Sequence, residues 1–443
     1  MSKEHRMPSS RLARFAKMGR LAGGLAGGAI GEGTRQLAQG KRPRLDQLLL
    51  TPANARRLGD RLSEMRGAAM KLGQIISMDG GNVLPPELSE ALARLRDKAH
   101  YMPLGQVAQV LETAWGKDWD RAFERFIFTP LAAASIGQVH DALLRDGRRI
   151  AVKVQYPGVR RSIDSDVDNM ATLLRLTHAL PDGFDIAPLL EEAKQQLHEE
   201  ADYLLEARHI ERYATLLGDD PRFELPLPLP ERTTAEVLCM RFLDGQPIES
   251  LEHLPATERT ELANTLFELA LREVFVWGVV QSDPNFANYR YNPVNGALQL
   301  LDFGATRLYA PDRRDALRAL LLAAIDGSDA AVARTAVQVG YLADEDSAHY
   351  RDAFVRLLRL AAEPARAAEP FAFSGSDLPQ RMREVLVQLR VRDKFHRIPP
   401  TDVLYLHRKI SGLYLLLSRL KVRLPVGEIV RHTLTAPPGR PAD

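Results

Sequence analysis

The sequence predicts an α+β fold in two lobes: a small lobe that contains β-strands and a larger, mainly helical one. Three observations predict it. At 443 residues the chain is longer than one hydrophobic core fills, so two lobes with a cleft, or two domains, are expected. Strand-like runs over 130–144 and 148–155 flank Asp146-Gly147, a hairpin turn signal, and helical periodicities lie on both sides. The stretch Gln281–Gly304, QSDPNFANYRYNPVNGALQLLDFG, sets Asp283 five residues before Asn288. It then runs through Leu298-Gln299-Leu300-Leu301 into Asp302-Phe303-Gly304. An aspartate on a catalytic loop, an asparagine five positions on and a strand delivering Asp-Phe-Gly form the arithmetic of a phosphoryl-transfer site.

Composition narrows the class. The content of 45% hydrophobic and 26% charged residues is that of an ordinary soluble globular chain, and a formal charge of +2 gives no argument for nucleic acid. The lone cysteine, Cys239, lies among Val237, Leu238 and Met240, where it reads as a small buried hydrophobe. A single cysteine excludes an intrachain disulfide and a zinc cluster, which fits a reducing compartment. No run approaches the ~20 apolar residues needed to span a bilayer.

The amino-terminal arm, 1–40, carries Arg6, Arg11, Arg14, Lys17 and Arg20 and then LAGGLAGGAIGEG. Gly19, Gly23 and Gly27, like Gly24 and Gly28, recur every four residues and would put a small-residue face on a helix. Two readings stand side by side: an arm held at an anionic membrane surface, with self-association through the glycine face, or a flexible linker. No Gly-Lys-Ser/Thr closes the run, which rules out a P-loop. Leu58, Leu62, Met65, Ala69, Leu72 and Ile76 then mark a helix containing Lys71-Leu72-Gly73-Gln74, where Lys71 by itself reads as a surface lysine. Pro85-Pro86 starts another helix.

The strand over 148–155 contains Ile150-Ala151-Val152-Lys153, the pattern of a strand whose lysine contacts nucleotide phosphates. The loop that should cover those phosphates is Ala132-Ala133-Ala134-Ser135-Ile136-Gly137-Gln138-Val139. Gly137 and Val139 are in register with the glycine-rich pattern, whereas Ala132 and Ala134 replace two glycines and should stiffen the loop. Helices follow over 163–180 and 189–217. On one continuous helix Glu199, Asp202 and Glu206 share a face, with Glu200 roughly 100° away. That face is either solvated or supplies the carboxylate partner of Lys153, for which spacing allows Glu206 or Glu199. The proline run Leu225–Pro230 is extended and leads into a strand over 236–242 and Asp244-Gly245. Backbone groups near Arg241 and Leu243 are candidate adenine contacts, with a plain β-turn as the alternative. A helix over 257–277 delivers Gln281–Gly304. After Gly304 there is neither an activation segment nor Ala-Pro-Glu, and Pro311 opens a helix directly. The remainder to Val430 is helical around a polar loop over 363–377, and the tail 436–443 should be disordered.

These residues together resemble the UbiB family, also called aarF-domain-containing or Coq8-like atypical kinases. Lys71-Leu72-Gly73-Gln74 stands where the family has KxGQ, Ala132 to Gln138 reads as its alanine-rich loop, and Glu200-Ala201-Asp202 fits its ExD motif. Glu206 occupies the position of the glutamate that pairs with the strand lysine. QSDPNFAN resembles the coenzyme-Q-linked branch, with Gln281 in place of the usual histidine. The resemblance implies a bilobal protein-kinase-like fold with an N-terminal helical KxGQ extension packed over the place of a peptide substrate. It implies the segments 1–40 (arm), 41–125 (extension), 126–243 (N-lobe with helical insert), 244–435 (C-lobe) and 436–443 (tail).

The activity so implied is ATP-dependent phosphoryl transfer, as an ATPase or a small-molecule or lipid kinase supporting ubiquinone biosynthesis. The cofactors are ATP (or ADP) and Mg²⁺. Asp283, Lys153 and Lys71 are the catalytic candidates, and Asn288 and Asp302 the metal ligands. Ala132, Ala133, Ala134, Ser135, Gly137, Gln138, Lys153, Glu200, Asp202, Glu206, Arg241 and Leu243 are the nucleotide-binding candidates. Lys71 would then face the cleft near Glu200 and Asp202, with a bend in the helix or one carboxylate left outside. Partners are quinone-pathway lipids or enzymes and an anionic membrane, and the expected location is cytoplasmic, peripheral to a bacterial inner membrane. The alternatives are a non-catalytic, nucleotide-gated scaffold and, disfavoured by the missing activation segment, a protein kinase.

Overall fold

A computed structural model describes residues 101–176, 186–389 and 399–435. The amino-terminal arm, the helix bearing Lys71 and the tail lie outside them. The chain divides into two compact units, Met1–Ala207 with Pro228–Phe242, and Arg208–Leu227 with Leu243–Asp443.

In the first unit, Phe123–Phe126, Gly137–Leu144, Arg149–Gln155 and Val237–Arg241 lie in that order in one antiparallel sheet, with the short strand Ala132–Ala133 also pairing to Gly137–Leu144. The Asp146-Gly147 turn forms, with Gly147 at φ 86°. Val152 and Val154 of the lysine strand and Val237 and Cys239 beside it are fully buried with Val107 and Leu111 of the helix Leu104–Trp115. Cys239 is thus the core hydrophobe that its neighbours suggested, and burial pushes its thiol up to about 12. An aromatic cluster of Trp115, Trp119, Phe123, Phe126 and Phe128, with centroids 5.0–6.3 Å apart, closes one end of the sheet.

Two sequence expectations change here. The run 130–144 is a strand pair, because Ala134 N–H bonds Gly137 O (2.8 Å) and folds Ala132–Ala133 back onto Gln138 and Val139. No alanine in it has positive φ, so the turn needs no glycine where the sequence lacks one. The helix expected over 189–217 is two helices, Ala187–Glu200 and Tyr203–Leu217. Asp202 breaks it: its Oδ1 accepts the N–H of Leu205 (3.1 Å) and caps the second helix.

The second unit is mainly helical, α+β with short strands around one stretch. Tyr289–Tyr291 and Leu298–Leu300 form a hairpin flanked by Phe223–Glu224 and Gln246–Pro247. Val279–Gln281 pairs with Thr306–Leu308. The helix Ala256–Leu271 widens into a π-helical segment, Arg272–Trp277, rather than running on regularly to Trp277. Such segments recur at functional sites, and this one brings Glu273 to 1% exposure. The helices Pro311–Asp326, Asp329–Val339, Ala348–Ala361 and Thr401–Arg419 build the core, in which Val332, Ala336, Val339 and Val403 are fully buried. Among the described residues no helix is long and apolar enough to cross a membrane.

Candidate active site

The candidate residues fall in both units, and each set is built within its own unit. In the first, strand alternation turns Lys153 into a buried space, 7% exposed. Its ammonium donates to both carboxylate oxygens of Glu206, at 2.9 and 2.8 Å. Of the two carboxylates that spacing allowed, Glu206 is the one that meets Lys153. The helix break explains the choice, since Glu206 stands in the first turn of a helix that Asp202 has just started. The Tyr203 ring lies 5.2 Å from the ammonium. Ser135 of the alanine loop donates to Glu200 (3.0 Å), which ties that loop to the end of the preceding helix. Gly137 is required by close approach: a Cβ there would stand 2.5 Å from the Val154 carbonyl oxygen and 2.7 Å from the Tyr203 hydroxyl.

Two members of this set make defined contacts within the protein. Gln138 is fully buried, and its amide is committed to protein: Oε1 accepts the Met102 N–H (2.8 Å) and Nε2 donates to His140 Nε2 (3.0 Å). These bonds tie Gln138 to Met102 and His140. Asp202 spends one oxygen on the helix cap, whereas Glu200 faces Ser135, so the two acidic residues of ExD do different work. Of the candidate hinge residues, Arg241 is exposed at the end of its strand and Leu243 is buried. Phe242–Gly245 runs without regular structure and forms no β-turn.

In the second unit, two strand pairs bracket the two loops that carry Asp283 and Asp302. Ser282 donates from both its backbone N–H (3.1 Å) and its hydroxyl (2.7 Å) to Ala305 O, drawing the start of one loop to the end of the other. Asn285 caps a short 3₁₀ turn, Phe286–Asn288, by accepting the Ala287 N–H. Asn288, 9% exposed, donates from Nδ2 to the Asp283 carbonyl (3.3 Å), which leaves its Oδ1 as the end suited to a cation. Asp302 Oδ1 accepts the Gly304 N–H (2.9 Å). Phe303 is buried beneath, its ring 4.8 Å from Tyr213 and its carbonyl bonded to His209 Nδ1 (3.2 Å).

One amide oxygen and one carboxylate are hard donors that suit Mg²⁺, an ion that takes few protein ligands and completes its shell with water and phosphate. Among the described residues no group of three or more His, Cys, Asp or Glu suited to a metal occurs.

Sequence reasoning missed a third component, the helix Thr401–Arg419. Arg408 Nη2 forms an ion pair with Asp283 Oδ1. Lys409, 4% exposed, pairs with Glu273 (2.7 Å) and donates to the Tyr289 hydroxyl (3.2 Å). Burial alone would pull the Lys409 ammonium down, but Glu273 and Tyr289 outweigh it and hold it well above the usual lysine value. Glu273 also accepts the Tyr213 hydroxyl (2.7 Å), and burial first, then Glu273, drives that phenol well up. The signal was available: Lys409 lies on the helix face of Tyr405, Gly412 and Leu416, where a charge needs a buried partner.

With this geometry in view, residues 94–336 match the family described as the ABC1 atypical kinase-like domain. The chain belongs to that family. It is 36% identical over 438 residues to the atypical kinase coq-8, mitochondrial, of Caenorhabditis elegans, spanning 96% of this chain and 57% of that protein. It is 35% identical to COQ8B, mitochondrial, of Rattus norvegicus, over 98% of this chain and 82% of that one. It is 36% identical to COQ8, mitochondrial, of Saccharomyces cerevisiae, over 94% and 83%. Among solved structures, the Mycobacterium tuberculosis protein Rv3197, in complex with erythromycin, aligns at TM-score 0.59 and 25% identity over 87% of this chain and 97% of its own. The α+β architecture is therefore kinase-like, and the chain is an atypical-kinase homologue of the Coq8 group. The expected cytoplasmic site at a bacterial inner membrane is corrected by the same comparison: these three Coq8 relatives are mitochondrial proteins and point to that compartment.

Proposed function

We propose that this ABC1-family chain binds ATP with Mg²⁺ and turns it over in support of ubiquinone biosynthesis, passing the phosphoryl group to water or to a small molecule or lipid. The observation that carries the reading is the buried pair of Lys153 and Glu206, because a strand lysine fixed by a helical carboxylate is the arrangement a kinase-like site uses to hold phosphates. In this reading Lys153 orients the α- and β-phosphates and Glu206 fixes Lys153. Asn288 and Asp302 hold Mg²⁺, which when bound would neutralise charge on the phosphates. Asp283 accepts or orients the proton of the acceptor. Ser135 and the main chain of Ala132–Ala134 lie over the phosphates, and Lys71 remains a further catalytic candidate. The work is mostly electrostatic positioning, which is most of what phosphoryl transfer asks of a protein.

The short path from Gly304 to the helix at Pro311 leaves little chain for a peptide platform and favours a small acceptor. Attachment to anionic lipid through residues 1–40, and pairing of two chains there, complete the reading. The test is ATP consumption by the purified chain and by Asp302→Asn, with and without anionic liposomes and a quinone-headgroup mimic. Turnover that Asp302→Asn abolishes is expected; equal rates in the two proteins would sink the proposal.

A further inference from the structure

Three residues of the helix Thr401–Arg419 close on the loop that carries Asp283. Arg408 pairs with the Asp283 carboxylate, the two side chains being 11% and 23% exposed. One turn on, on the same face, Gly412 packs against Pro284 so closely that a Cβ there would stand 2.1 Å from the proline Cβ. Between them Lys409 reaches Glu273 and Tyr289, the residue that follows Asn288.

The other ties on this loop fix its main chain. Ser282 bonds Ala305 O, Asn285 caps the 3₁₀ turn, and Asn288 bonds the Asp283 carbonyl. None of them touches the Asp283 carboxylate. Among the described residues Arg408 is its hydrogen-bond partner.

We propose that Arg408 is a positioning residue for Asp283, and that its helix holds the catalytic loop in place of the activation segment this chain lacks. The proposal rests on the reading of Asp283 as the group that handles the acceptor's proton. A guanidinium suits the task because its delocalised, planar charge donates from Nη2 along a fixed direction, where an ammonium acts as a point charge on a flexible stem. Its anchorage is rigid, since Tyr405, Lys409 and Leu416 of the same helix are buried.

The experiment compares the full chain with Arg408→Ala, Arg408→Lys and Asp283→Asn in two readouts. In ATP turnover, Arg408→Ala should lower kcat on the order of 10–100-fold, the usual cost of a reacting group out of place. Its ATP–Mg²⁺ affinity should stay within about twofold of wild type, because the phosphate-holding groups are untouched. Methylguanidine should restore part of the loss in Arg408→Ala and none in Asp283→Asn, and Arg408→Lys should fall between. In hydrogen exchange, a peptide spanning 279–291 should exchange faster in Arg408→Ala while the helices over 311–339 stay protected. Wild-type or raised turnover in Arg408→Ala, or unchanged exchange in 279–291, overturns the proposal. So does a loss of turnover that brings ATP affinity down with it and resists methylguanidine, since that is a structural role. Full turnover in Asp283→Asn, or none in wild type, instead strikes the reading of Asp283, and the exchange result still decides for or against Arg408 as the holder of the loop.

Discussion

Replacing Glu206 with glutamine removes one charge from a pair whose side chains are 9% and 1% exposed, while nearly preserving volume. The Lys153 ammonium then stays buried against a neutral amide that can accept one of the two bonds, now 2.9 and 2.8 Å, that the carboxylate accepts. Breaking a buried ion pair by removing one partner costs about 3–5 kcal/mol, which is a large fraction of the roughly 5–15 kcal/mol that holds a domain folded. At an m-value of about 2 kcal/mol/M, the urea midpoint of the first unit should fall by about 1.5–2.5 M. Trp115 and Trp119 are partly buried against that unit's core and report on it by fluorescence. The double variant Lys153→Met/Glu206→Leu removes both charges of this pair and should be more stable than Glu206→Gln while binding ATP poorly. A Glu206→Gln midpoint within about 0.5 M of wild type, or a double variant as unstable as the sum of the singles, would refute the view that this pair is buried and mutually compensated.

Three further outcomes follow from the same packing. His140 is held neutral: burial depresses its pKa below the ordinary value of 6.5, its Nδ1–H donates to Ile127 O (2.9 Å), and its Nε2 accepts from Gln138. The unfolded chain therefore takes up a proton first, so stability present above about pH 6.5 is lost as pH falls through the folded value. Urea midpoints between about pH 7.5 and 5.5 should show that slope in wild type and lose part of it in His140→Gln. Gly412→Ala would press a methyl into Pro284, and overpacking of about 1–3 kcal/mol should lower the melting temperature by about 2–12 °C; an unchanged melting curve would mean that helix and loop are not in contact. Cys239, fully buried with its thiol pushed up to about 12, should resist iodoacetamide at about pH 8 and label only after denaturation, as mass spectrometry can read directly.

The placement of the candidate site residues was legible in the sequence because it follows chain spacing. Asp283, Asn288 and Asp302 are set by a loop and a strand of fixed length, Lys153 by strand alternation beside a forced Asp-Gly turn, and Cys239 by its apolar neighbours. The lysine's partner could be narrowed to Glu199 or Glu206 but not chosen, since the choice depended on where the helix stops. Asp202 stops it, through a cap that a uniform 3.6-residue projection does not contain. The contacts of Gln138 were not legible for a related reason: motif position placed it in the alanine-rich loop, and only folding brings its amide to Met102 and His140.

What only the tertiary structure decided is the support of the catalytic loop. Arg408, Lys409 and Gly412 stand more than a hundred residues beyond Asp283, and no local periodicity links the two segments. Local signals fix which groups a chain can offer, because hydrogen-bond geometry and helical or strand pitch act over a few residues. Which groups end up holding one another is set by burial. A charge such as Lys409 or Glu273 is stable inside the second unit only where folding brings it an opposite charge, and that meeting is a property of the packed fold.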